Sequence, residues 1–190
     1  MQREFLKRIL WCLLGVYDNK DVLFIIEELL KIDGVNSKKL VDIYLDFEQL
    51  SVEKAVTDLK KVLVDLNIIV VENYEDIALC LGQAIAEDIL DVKTTPYDGA
   101  RKVERIINRF LFDLEVDFNR SKLGLLCDLV DSVNSIENHA LLVKDQGLIS
   151  EAEYDQLHYS NVEENDKILD IADKLKNLTL NCLRLDKYFL

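Results

Sequence analysis

Two histidines, four cysteines and 36 aspartates and glutamates carry most of the reactive chemistry in this 190-residue chain. Asp155 and His158 stand at i, i+3, a spacing that puts a carboxylate and an imidazole on one helix face. A di-iron bundle needs such a pair twice, with glutamates from two further helices, and here it occurs once. His139 follows Glu137 by two residues, so the two point to different faces of a helix. Both histidines are therefore expected to be partly exposed helix residues, and no metal site is expected. No two glycines lie within ten residues of each other, so a phosphate-cradling loop is excluded. No serine or cysteine sits in the glycine-rich turn that a nucleophile elbow requires. These residues assign no catalytic group and no cofactor.

A carboxylate ladder offers the one enzymatic alternative. Glu72-x-x-Glu75 followed by Asp88-x-x-Asp91 resembles the ExxE…ExxD motif of the all-α nucleoside triphosphate pyrophosphatases, with Asp88 where that family has glutamate. The resemblance implies magnesium held between antiparallel helices and nucleotide hydrolysis through these four residues. Helix geometry opposes it. On one continuous helix Glu75 and Asp88 are separated by about 20 Å along the axis and about 140° around it, too far to share an ion. A solvated acidic face is the expectation. Arg101, Arg105 and Arg109 step by four and form a basic ridge, for which Asp98 and Glu104 supply local partners.

Charge is more informative. The chain carries 23 basic and 36 acidic residues, a net charge of −13. Residues 1–95 contribute 11 basic and 18 acidic side chains and residues 96–190 contribute 12 and 18, so the charge is spread over the fold. Such a field repels nucleic acid and anionic membranes and attracts basic proteins. It is densest from Asp145 to Asp173, with nine acids against one lysine, and between Lys61 and Lys93, with seven acids and no base. Tyrosines interleave with both stretches. Candidate partner-binding residues are therefore Tyr74, Glu75 and Asp76 in one stretch, and Glu151, Glu153, Tyr154, Asp155, Tyr159, Glu163, Glu164 and Asp166 in the other. Tyrosine would supply anchors and carboxylates would steer the encounter.

One proline and six glycines leave few chain breakers, and apolar residues recur at helical spacing almost throughout. The expected fold is all-α, a bundle of about seven to nine helices with no significant sheet, forming a single domain over residues 1–190 that could subdivide near 67–73. Only Ile68 to Val71 cluster β-branched residues, read as a helix end or linker. Thr95 is placed as an N-cap with Pro96 in the first helical position, and Ser150 opens a capping box with Glu153. The last helix is expected over about 161–186. The start, MQREFLKRILWCLLGVYD, looks like a secretion signal, but Glu4 interrupts its basic region and no small cleavage-site residues follow. A core helix, reduced thiols and a cytoplasmic location are expected.

The run LGQAIAEDILDVKTTPYDGARKVERI, residues 81–106, is similar to a pattern in small helical bacterial proteins of uncharacterised or toxin-immunity type. In that pattern a helix with LA..IL precedes PY[DE]GA and a second helix. Leu81, Ala84, Ile85, Ile89, Leu90, Pro96, Tyr97, Gly99 and Ala100 match it, while Asp91-Val92 replaces the usual glycine after the first helix. The resemblance implies a non-catalytic, immunity-type inhibitor of a basic toxin. A helical adaptor or self-associating scaffold is the remaining reading.

Overall fold

A computed structural model describes residues 2–32, 37–66, 68, 74–113 and 123–178, with backbone alone at 2, 3, 109–113, 151, 152 and 155. Among the described residues there are nine α-helices and no strand: α1 (Gln2–Leu13), α2 (Asn19–Leu30), α3 (Lys38–Asp46), α4 (Val52–Asp65), α5 (Tyr74–Leu90), α6 (Pro96–Asp113), α7 (Gly124–Asp145), α8 (Glu151–Ser160) and α9 (Val162–Lys176). The all-α expectation is met. Of the β-branched cluster only Ile68 is described; it is fully buried and its N–H donates to Leu63 O at 2.9 Å. Ile69 to Val71, Glu72 and the expected cap Asn73 lie outside the described residues.

The chain divides into two compact units, one built on Met1–Leu81 and the other on Gly82–Thr179. In the first, α2 packs on α1, α3 and α4, and α4 also meets α1 and α3. Ile9, Ile25, Ile26, Leu40 and Leu59 form its fully buried centre. In the second, α7 packs on α6, α8 and α9, and α6 also packs on α9. Leu126, Leu129, Val133 and Ile136 of α7, Val103 and Ile106 of α6, and Ile168, Ala172 and Leu175 of α9 are all buried where these three helices pack.

Local chemistry sets the helix ends. Thr95 caps α6 as expected: its Oγ1 accepts from Asp98 N at 3.1 Å and donates to Asp98 Oδ2 at 2.7 Å. The Ser150–Glu153 capping box is present, and Ser150 N and Oγ, each donating to Glu153 Oε2 at 2.8 Å, hold the Glu153 carboxyl below its usual range. A second box, Asp18 with Asp21, opens α2. Its aspartate at N3 departs from the glutamate or glutamine pattern by which such boxes are read in sequence. The last helix stops at Lys176, ten residues before the expected end at 186. Gln83 Nε2 meets that helix end, donating to Lys176 O at 2.8 Å and to Leu178 O at 3.0 Å. It thereby satisfies carbonyls that the terminated helix leaves open.

The joint between α5 and α6 carries backbone strain. Lys93 N donates to Asp88 O at 2.8 Å and Val92 N to Ile89 O at 3.1 Å, the two bonds of a Schellman motif. Val92 occupies the left-handed position of that motif with φ 58°, and its side chain is 89% exposed. Glycine is preferred there because a Cβ, above all a branched one, crowds the backbone. Val92→Gly is expected to stabilise the protein by about 1 kcal/mol, the relieved strain outweighing the extra unfolded-state entropy of glycine. Denaturant titration measures it; a lower midpoint in the variant would contradict this reading of the turn. Close packing follows the turn, because a Cβ at Gly99 would run into Ile89.

The cysteines depart from expectation in part. Cys12 and Cys127 are free thiols, but Cys80 is disulfide-bonded, and the fourth cysteine, Cys182, lies outside the described residues. Burial, reinforced by Asp21, pushes the Cys12 thiol up to about 12 and leaves it protonated at neutral pH. No helix among the described residues is long and apolar enough to cross a membrane.

Candidate functional site

Five acids and one lysine line a groove between α7 and α9 in the second unit. Helical spacing builds both walls. Asp128, Asp131 and Ser132 stand at i, i+3 and i+4 on α7; Glu163, Asp166, Lys167, Asp170 and Ile171 run down one face of α9. Between them lies a cavity of about 540 Å³. The inner faces of the same helices hold the pair together: Leu129 and Val133 lie beside the α7 acids, and Ile168 and Ala172 beside the α9 acids, all fully buried. Ser135 Oγ adds a cross-link, donating to Glu164 Oε1 at 3.2 Å.

The groove's carboxylates are unequally neutralised. Lys167 Nζ bonds Glu164 at 2.8 Å and Glu163 at 3.2 Å, which raises the Lys167 ammonium above its usual value. Lys174 pairs with Asp170 at 2.6 Å. Asp128, Asp131 and Asp166 have no ion-pair partner among the described residues. No three His, Cys, Asp or Glu side chains gather as metal ligands among those residues either. The negative charge is thus spread along the groove, an arrangement suited to several separated cations.

Beside this groove, α6 and α8 meet in an aromatic and ionic network. Tyr97 and His158 stack at 5.0 Å, Tyr154 meets His158 edge-on at 5.0 Å, and Tyr159 meets Tyr97 edge-on at 5.7 Å. The Tyr97 hydroxyl donates to Glu137 Oε1 at 2.8 Å, and Arg101 Nη1 sits 3.0 Å from the same oxygen. Burial, and then the Glu137 hydrogen bond, raise the Tyr97 phenol well above its usual range. His158 is 8% exposed, a correction to the expectation of a partly exposed histidine; His139 on α7 is exposed. Sequence spacing showed the helix carrying His158 but not Tyr97 of α6 stacked on its ring.

The sequence-derived binding residues divide accordingly. Glu163 and Asp166 line the groove, and Glu164 is drawn to Ser135 and Lys167 at its flank. Tyr154 is half-buried with Lys144 Nζ 4.7 Å from its ring centre. Tyr159 is 52% exposed and donates to Asp98 Oδ1 at 3.2 Å. Glu153 serves its capping box, and the side chains of Glu151 and Asp155 lie outside the described set. Tyr74, Glu75 and Asp76 belong to the first unit, where Tyr74 is exposed with Lys60 Nζ 5.0 Å from its ring centre. Asp128, Asp131 and Ser132 were not anticipated. Of the ladder, Asp88 is buried with Lys93 Nζ at 3.8 Å, and Glu72 lies outside the described residues.

Comparison with known protein families, curated proteins and solved structures finds no match. The groove must be interpreted from its own chemistry. The arginine ridge offers less: Arg101 is bonded to Glu104 and Glu137, Arg105 is exposed, and the Arg109 side chain lies outside the described set.

Proposed function

We propose that this protein is a non-catalytic protein-binding module that docks a basic protein on its α7–α9 face, and that it acts as an immunity-type inhibitor of a basic toxin. The observation that carries the reading is the set of three exposed carboxylates, Asp128, Asp131 and Asp166, that make no close ion pair among the described residues, along one groove of a chain with net charge −13. Carboxylates held apart by helix spacing recognise separated lysines and arginines better than they hold a single ion. Inhibition would be steric and electrostatic, without turnover, and the field accelerates encounter with a cationic partner. The similarity of residues 81–106 to immunity-type proteins favours a toxin as that partner.

The test is affinity capture from the source cell at low and physiological salt, with the captured protein identified, purified and assayed. The expected result is a protein of high isoelectric point that is toxic or nucleolytic alone and loses that activity in the complex. A captured protein of acidic character, or a basic one whose activity is unaffected by stoichiometric addition of this chain, contradicts the proposal.

A further inference from the structure

We propose that Cys80 and Cys182 form a redox-sensitive strap, a disulfide that ties the chain beyond α9 to α5 and opens by exchange with a dithiol. The pairing follows from count. The chain has four cysteines, Cys80 is disulfide-bonded, and Cys12 and Cys127 are free thiols, so Cys182 is the one sulfur left to bond it. Cys182 lies outside the described residues, but the chain that leads to it meets α5 within them. Gln83 Nε2 donates to Lys176 O at 2.8 Å and to Leu178 O at 3.0 Å. Cys80 stands three residues before Gln83, one turn back on the same face of α5. Cys182 follows Leu178 by four residues, a reach of about 13 Å against about 5 Å for one helical turn.

That face is also the accessible one. Cys80, Gln83, Glu87 and Leu90, at i, i+3, i+7 and i+10, are half-buried, whereas the residues between them are buried. A thiolate from solution therefore has an approach to Cys80. The other two cysteines are poor attackers. Burial, reinforced by Asp21, pushes the Cys12 thiol up to about 12, and burial, with Asp131 and Asp128, raises that of Cys127. Both stay protonated at neutral pH, and the thiolate is the attacking form, so the electrons must come from outside. One thiolate of the external dithiol attacks a sulfur of the bond and expels the other cysteine, which takes a proton. The second thiol then attacks the mixed disulfide and frees the first cysteine. Two electrons and two protons pass to the protein, and the dithiol leaves as its disulfide. The oxidised chain is cross-linked from 80 to 182, which restricts its unfolded state and stabilises the fold; the reduced chain loses that tie.

The test uses the full-length protein equilibrated with oxidised glutathione, digested with trypsin and mapped by mass spectrometry without reductant. The peptide of residues 62–93 is expected linked to that of residues 177–184. Four free thiols, or Cys80 joined to glutathione or to another cysteine, overturns the pairing. Dithiothreitol in native buffer should open the link with helicity unchanged, after which iodoacetamide alkylates Cys80 and Cys182; returning the unalkylated protein to oxidised glutathione should restore it. A bond that opens only in denaturant, or whose opening unfolds the helices, is a fixed structural one and overturns the switch. The oxidised protein should unfold at a urea midpoint about 1 M or more above that of the reduced protein. Cys182→Ser should match the reduced protein and ignore dithiothreitol, and Cys127→Ser should keep both the link and the redox response. Equal midpoints for oxidised and reduced wild type, or a redox shift that survives in Cys182→Ser, contradicts the strap.

Discussion

Lysine substitution at Asp128, Asp131 and Asp166 together is expected to slow association with the basic partner by about tenfold or more at low salt, because steering by complementary charge governs that rate. Three reversals change the net charge by six units, from −13 to −7, and they do so inside the groove where the field is concentrated. The fold should be unaffected. None of the three has an ion-pair partner among the described residues, and all are exposed on their helices. Stopped-flow association at several ionic strengths reads the effect. Screening shortens the field to about 8 Å at physiological salt, so the wild type should lose rate as salt rises and the variant should lose less. Equal salt slopes for the two would show that the groove does not steer the encounter.

The second large effect concerns stability. Leu129→Ala should cost about 2–5 kcal/mol, the range for a fully buried leucine truncated in a packed core. Leu129 is completely buried and follows Asp128 directly, so the residue that anchors α7 is the neighbour of one that lines the groove. Denaturant unfolding should show the loss, whereas Asp128→Asn should leave the midpoint within about 0.5 kcal/mol of wild type. A Leu129→Ala variant of near-native stability would mean that α7 is not the centre of the second unit.

The contrast between these neighbours shows what was legible in the sequence. Helical period placed the elements, and the chemistry of short motifs placed several ends: Thr95 and Pro96 at α6, and Ser150 with Glu153 at α8. The missing glycine after α5 was visible in the sequence as Asp91-Val92; its consequence, a valine at φ 58°, needed the backbone. Glu163 and Asp166 stood out because acids crowd the 145–173 stretch. Asp128 and Asp131 did not, because α7 spreads its acids, Asp128, Asp131, Glu137 and Asp145, over 22 residues and no acidic run marks them. They join the site only through the pairing of α7 with α9, a tertiary fact that helical period does not encode. The burial of His158 is of the same kind: the residue that stacks on it, Tyr97, is 61 positions away. The early end of α9 has a weak signal in the sequence, Lys174 and Lys176 in the last turn followed by Asn177, which the apolar spacing that runs on to Leu178 and Cys182 obscures.

The most direct test of the central claim is a backbone hydrogen-exchange footprint of this protein in complex with the captured basic partner. Added protection is expected on α7 around residues 128–132 and on α9 around residues 163–171, the two walls of the groove. Protection confined to other helices, with both walls exchanging as in the free protein, would contradict it.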